Sequence, residues 1–328
     1  MSVVKEFSGR KIRIVNSFFR PTTVKEALSL ASDRPGKCVY FGGGTDLLIY
    51  RKHKLVNEET IIDLSELVDT SAFEVDKNSL RLGATITLDD IATCSEIKNH
   101  FPILIEAAKS VATPVIRKTA TLGGNLLVNN RCTFYNQSQE WRDAIGSCMR
   151  DVGDICLVTG GKGKCFSRNV SDTAPALIAL GATVKIQSQK GKKQINLKDI
   201  YVPDGINFHQ HLGDNAILTD IQVSEKPASW WFRKLRLRKT LDFTSLTVAA
   251  TVNSSGVARV CLNGVSMSPV LIEESLVDLT LESLVKVARK NCKTVNNDLM
   301  PLKYRRQMID LFLRDWWKSI DLSLPKNK

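Results

Sequence analysis

The chain has 328 residues, 43% of them hydrophobic and 24% charged, with 46 Lys and Arg against 34 Asp and Glu for a formal net charge of +12. That length and apolar content suit two or three packed units and exclude a wholly disordered chain. No apolar run reaches membrane-spanning length, and MSVVKEFSGRKIRIVNSFF lacks a signal-type apolar segment, so a cytoplasmic protein without membrane insertion is expected. The positive balance favours an anionic partner without choosing one.

In chain order, a helix is predicted over Thr23–Ser32 and a strand over Cys38–Phe41, which runs into FGGGTDLLIYRK. Gly42, Gly43 and Gly44 there offer successive backbone N–H groups, either as an anion nest or as a plain structural turn. Strands are predicted at Ile61–Leu64 and Leu80–Gly83, followed by helical periodicity in LDDIATCSEI and FPILIEAAKSVA, which Pro114 breaks. A second glycine pair follows in VIRKTATLGGNLLVNN, where Thr121–Asn125 separate apolar from polar sequence. Neither loop has the G-x-G-x-x-G or Walker order, although Asp63 lies at a Rossmann-like distance from the first, so a Rossmann unit is disfavoured.

Four of the eight cysteines, Cys132, Cys148, Cys156 and Cys165, are separated by 15, 7 and 8 residues. Gly146, Gly153, Gly160, Gly161 and Gly163 permit tight turns around them. Four thiolates suit an iron–sulfur cluster or structural zinc, and neither the zinc C-x₂₋₄-C pairing nor a compact ferredoxin run occurs, so spacing leaves cluster, zinc and no metal open. Cys38, Cys94, Cys261 and Cys292 are expected as buried small hydrophobes. His53, His100, His209 and His211 are expected as surface or packing residues.

Beyond the cysteines, RNVSDTAPALIALGATVKI reads as a polar turn, a helix from Thr173 to Leu180 and a strand. Asp172 at its start is either an N-cap or an acceptor for a cofactor hydroxyl. Polar YVPDGINFHQHLGDN marks a boundary. Lys226–Lys239 alternates Leu235, Arg236, Leu237 and Arg238 as part of a strand with one basic face, read as a solvated face or as a docking or cofactor-phosphate surface rather than a nucleic-acid site, since no nucleic-acid motif accompanies it. Strands follow at Asp242–Val252 and Val257–Asn263, then helices from Pro269, Leu281 and Pro301.

The order of FGGGTDLLIYRK, IRKTATLGGNL, VSDTAPALIALGA, WFRKLRLRKTLDFTSLTVAA and YRRQMIDLFL resembles the FAD-binding medium subunits of the molybdenum hydroxylase family, which includes xanthine and carbon monoxide dehydrogenases. The four-cysteine insertion is similar to that of the family's 4-hydroxybenzoyl-CoA reductase branch. The resemblance implies an α+β protein: a vanillyl-alcohol-oxidase/PCMH-type FAD-binding region over 1–215, with a [4Fe–4S] insertion at 130–168, and a CO dehydrogenase flavoprotein C-terminal-like domain over 216–328. It assigns Tyr40, Phe41, Gly42, Gly43, Gly44, Thr45, Asp46 and Leu47 to the first FAD pyrophosphate loop, and Thr121, Leu122, Gly123, Gly124 and Asn125 to the second. Asp172 and Lys234 are implied as further FAD contacts, and Val111 stands where xanthine dehydrogenase carries a larger side chain near the isoalloxazine. Cys132, Cys148, Cys156 and Cys165 are the implied cluster ligands. The implied function is an electron-transfer subunit, without the catalytic centre, that passes electrons from reduced ferredoxin toward a partner. Those partners are a small subunit with two [2Fe–2S] clusters and a molybdopterin large subunit, in a dimer of heterotrimers that dehydroxylates 4-hydroxybenzoyl-CoA. Another aromatic, purine or aldehyde substrate is the alternative, and a zinc-stabilised nucleotide-binding or assembly protein is the alternative outside redox chemistry.

Overall fold

A computed structural model describes residues 5–7, 10–12 and 17–323. Three of its sheets build the site. The first is parallel, with Thr60–Asp63 between Ser17–Phe19 and Cys38–Phe41. Its crossover helix Val24–Ser32 starts where Thr23 accepts a hydrogen bond from the Glu26 N–H, and it buries Ala27, Leu28 and Ala31 against Ile62. The second sheet is antiparallel, in the order Phe73–Val75, Leu80–Gly83, Ile217–Val223, Thr183–Ser188 and Gly191–Asn196. Its central strand, Ile217–Val223, comes late in the sequence, so the chain leaves this unit only after Val223 rather than at the expected 215 boundary.

The third sheet is a meander of Ser229–Leu235, Leu246–Val252, Val257–Asn263 and Val270–Ser275. All seven residues of Leu246–Val252 are buried because both faces are covered. Leu246, Val248, Ala250 and Val252 face the helices Leu281–Asn291 and Leu302–Ser323. Ala249 shares the other core with the helix Thr173–Ala179, and Thr251 on the same face hydrogen-bonds the Ala179 carbonyl at 2.5 Å. The period of two thus welds the C-terminal sheet to the core of the preceding unit.

Several expectations change in register. The helix expected from Pro269 is the edge strand Val270–Ser275, because pairing with Val257–Asn263 overrides local preference. The strand expected to reach Lys239 stops at Leu235, where Arg236 turns in to the Ser110 carbonyl and Arg238 pairs with Asp242. The strand expected from Asp242 begins at Leu246. The helix read through LDDIATCSEI divides at Cys94 into Leu88–Thr93 and Ser95–His100. Pro114 ends the preceding periodicity and also opens a short helix, Pro114–Arg117, at whose first position its missing N–H costs nothing. Cys261 and Cys292 are buried as expected, whereas Cys38 and Cys94 are partly exposed.

His209 is a packing residue, its ring 4.7 Å from Phe208 and 5.4 Å from Tyr201. Its Nε2 is buried without a partner among the described residues, and burial pushes its pKa down to about 4. Between about pH 6.5 and 4 the unfolded chain therefore binds the extra proton and the folded chain does not, so this contribution to stability falls as pH falls through that window. The effect is at most about 3 kcal/mol by the same linkage. Acid melting curves of His209→Phe should lose that sensitivity, and an unchanged pH dependence would reject it.

Candidate cofactor-binding site

A cavity of about 500 Å³ opens beside the first two sheets, with Leu241, Asp242 and Phe243 from a connecting loop of the third sheet on its wall. Its lining includes Tyr40, Gly42–Leu47, Thr121, Gly123–Asn125, Asp172, Val111 and Ile217. The size lies within the roughly 300–1,000 Å³ of small-molecule and cofactor clefts. Most of the sequence-assigned flavin residues therefore converge. Phe41, Leu122 and Lys234 do not line the cavity: Phe41 packs beneath Gly44, Leu122 is core, and Lys234 reaches the site only through Asp172.

The two glycine loops lie against each other and have different work. A Cβ on Gly43 would collide with the Thr119 carbonyl, and one on Gly42 would sit 2.8 Å from Thr121 Oγ1, so side-chain-free backbone is what lets the loops touch. Gly44 has φ +69°, the left-handed conformation that glycine adopts freely. No backbone N–H from Gly42 to Asp46 donates to another described residue, which leaves a run of undonated amides on residues that line the cavity, donors of the kind an anion nest uses. The second loop differs, because its amides are already used. Leu122 N–H donates to the Ile86 carbonyl, Gly123 to Ala84, Gly124 to Thr121 Oγ1 and Asn125 to the Thr121 carbonyl. The undonated amides therefore belong to the first loop, and the second shapes the wall.

Asp172 is not the helix cap that its position suggests. Ser171 Oγ accepts from Ala174 N–H at 3.0 Å and Asn125 Oδ1 from Thr173 N–H at 3.2 Å, so the helix start is satisfied without it. The Asp172 carboxylate instead meets Lys234 Nζ at 2.5 Å and Thr247 Oγ1 at 3.3 Å, with both charged side chains only 4% exposed. Lys234 and Thr247 are directly opposed across the sheet, so the pleat turns both toward the same face. Burial raises the Asp172 pKa and lowers that of Lys234, each charge offsetting part of the other's penalty.

The cysteine insertion adjoins this cavity. Arg131 and Arg168 form an antiparallel bridge at its base, bringing Cys132 and Cys165 to the two sides of one neck. Inside, buried Arg142 pairs with Asp151 at 3.2 Å and donates to the carbonyls of Gln137 and His53. Gly146 and Gly160 adopt positive φ and Gly153 abuts the Ser147 carbonyl, whereas a Cβ on Gly163 would meet nothing within 4 Å. All four cysteines are free thiols and buried. Burial raises the Cys132 and Cys165 pKa values, and each also senses another member of the set. Burial also acts upward on Cys156, but hydrogen bonds from the Thr159 side chain and from the Thr159, Val158 and Phe166 amides outweigh it and the net shift is downward. Among the described residues no three His, Cys, Asp or Glu side chains converge tightly enough to share one ion.

Sequence reasoning missed Arg131 and Tyr50, both on the cavity wall. Arg131 Nη2 meets Asp46 Oδ1 at 2.7 Å, and its guanidinium lies over the rings of Phe243 and Tyr50 at 4.2 and 4.8 Å. The adjacent cysteine was the available signal, since a charge next to a buried residue must find partners inside the protein.

Comparison with known proteins identifies the family. Residues 10–225 match the family described as the FAD binding domain in molybdopterin dehydrogenase. The chain belongs to that family. It is 29% identical to the aldehyde oxidoreductase FAD-binding subunit PaoB of Escherichia coli over 78% of this chain and 83% of that one. It is 27% identical to the nicotinate dehydrogenase FAD-subunit of Eubacterium barkeri over 73% and 70%. The carbon monoxide dehydrogenase structure from Hydrogenophaga pseudoflava superposes with a TM-score of 0.71 at 19% identity, covering 92% of this chain and 95% of that one, which bears out the PCMH-type plus α+β fold. This family member is thus an FAD-binding, medium-type subunit of a molybdenum hydroxylase-class oxidoreductase. Among the described residues no helix is long and apolar enough to cross a membrane.

Proposed function

We propose that this subunit carries FAD and a [4Fe–4S] cluster and passes electrons between ferredoxin and a molybdopterin partner subunit, in a complex of the 4-hydroxybenzoyl-CoA reductase type. The observation that carries the reading is the closed four-cysteine insertion whose first ligand, Cys132, directly follows a residue of the flavin cavity wall. The donor set fits a cluster. All four thiols are buried, and three of them, Cys132, Cys156 and Cys165, receive peptide or hydroxyl hydrogen bonds, the contacts by which proteins tune such centres; a cubane gives each thiolate its own iron rather than crowding all four around one ion. When bound, flavin exchanges electrons in pairs and a cluster singly, so the two together join one-electron and two-electron partners.

The chain's own residues supply the surroundings. Amides from Gly42 to Asp46 hold an anionic group, Asp172 presents an acceptor fixed by Lys234, and Gly205 lets the backbone pack close against Cys165, where an added Cβ would sit 2.8 Å from the sulfur. The excess positive charge does not sit on the insertion, whose exposed ionisable side chains are Glu140, Asp143, Asp154, Lys162 and Lys164. Exposed Trp141, Ile145 and Val152 favour apolar docking of a donor there.

An anaerobic preparation should contain about four iron and four sulfide per chain. Cys156→Ser should lower both contents and Cys261→Ser neither; stoichiometric zinc without labile sulfide would overturn the cluster. In the full complex with retained FAD, Cys148→Ser should suppress ferredoxin-driven turnover more than reduction of FAD by a small dye. Copurification should recover one small [2Fe–2S] subunit and one molybdopterin large subunit, two such heterotrimers pairing. Relatives named for aldehydes and nicotinate support a second reading with another substrate. Turnover of 4-hydroxybenzoyl-CoA, or of those substrates instead, decides between them.

A further inference from the structure

Arg131 and Tyr50 have properties that the flavin loops do not explain. Tyr50 is 5% exposed with its hydroxyl unpartnered, and Arg131 keeps a buried Nε–H that likewise meets no acceptor among the described residues. Leaving such donors unpaired costs about 1–3 kcal/mol each, a penalty relieved only when an acceptor arrives. Both residues line the cavity, and the guanidinium is fixed in orientation by Asp46 and by the rings on which it lies. Its backbone, meanwhile, is the neck of the cysteine insertion. Arg131 N–H donates to the Arg168 carbonyl at 2.8 Å and Arg168 N–H returns the bond at 2.9 Å, with Cys132 one residue beyond on one strand and Cys165 three residues before on the other.

We propose that Arg131 and Tyr50 form a donor pair that binds oxygen acceptors of the flavin cofactor, and that through Arg131 the occupancies of the flavin cavity and the cysteine site are coupled. The inference rests on the FAD and cluster reading above. Filling the cysteine site fixes the neck, the neck fixes Arg131, and a fixed donor binds its acceptor with less loss of freedom. Binding linkage is reciprocal, so FAD should also favour retention of the cluster. The acceptor chemistry is common to phosphate and ring-carbonyl oxygens, and two ligands separate those sources.

The test is flavin titration of the full chain under anaerobic conditions, in cluster-loaded and chelator-stripped forms, with FAD and with riboflavin. In the loaded form, Arg131→Met should weaken FAD binding about tenfold and Tyr50→Phe about threefold, consistent with loss of one charged and one neutral hydrogen bond. Arg131→Lys, which keeps the charge beside Asp46, should fall between wild type and Arg131→Met and serves as the control for folding. Weakening confined to FAD assigns a phosphate acceptor; weakening of riboflavin as well assigns the flavin ring. Stripping the cluster should weaken FAD binding to the wild-type chain about tenfold, and that difference should vanish in Arg131→Met. Wild-type affinity in Arg131→Met, or a cluster dependence that persists in it, overturns the inference. A wild-type chain that binds no FAD overturns instead the reading on which it rests, and one that binds FAD but holds no iron overturns the coupling while the titration still judges the donor pair.

Discussion

Gly43→Ala should reduce bound FAD to below about a tenth of the wild-type content and destabilise the chain by about 1–3 kcal/mol, the usual cost of forcing an extra methyl into a packed interior. The new Cβ would run into the Thr119 backbone carbonyl, and backbone cannot rotate aside as a side chain would. The first loop must then lift from the second, which dismantles the run of free amides from Gly42 to Asp46. Gly163→Ala is the matched control, because its Cβ meets nothing within 4 Å and the same change in helix and turn propensity is made in open space. Flavin absorbance per chain after desalting, with melting curves, reads both effects. Full FAD content in Gly43→Ala would show that contact between the loops is not what forms the nest.

Asp172→Ala should be the most destabilising single change at the site. Among the described residues it leaves the buried Lys234 ammonium one hydrogen-bond acceptor, the Ser110 carbonyl at 3.0 Å, and breaking a buried pair from one side costs about 3–5 kcal/mol. At roughly 2–4 °C per kcal/mol for domains of 150–250 residues, the melting midpoint falls by roughly 10 °C. The double variant Asp172→Leu with Lys234→Met removes both charges and should recover most of that stability, since apolar replacement of a buried ion pair is often neutral. FAD should remain weakly bound in the double variant, because the cavity wall has lost its carboxylate even though packing is restored. Recovery of FAD together with stability would make the pair a packing element and remove Asp172 from the cofactor contacts.

The sequence by itself determined the local elements and the chemistry available to them. The glycines at 42–44 and 123–124, the periodic helices at 24–32 and 173–179, and the four spaced cysteines are all readable because their signals are local: missing side chains, a 3.6-residue period, a shared thiol chemistry. Family order added the fold, which the comparisons bear out. Tertiary structure decided the partners. Which loop keeps its amides free depends on whether Ala84 and Ile86 reach the other one, and they lie far away in sequence. Val270–Ser275 became a strand because a neighbouring strand offered it a ladder, and Asp172 gave up capping because Ser171 and Asn125 were already there and Lys234 was opposite Thr247. Arg131 went unread for the same reason: its importance lies in Asp46, Tyr50 and Phe243, which meet it only when the chain is folded.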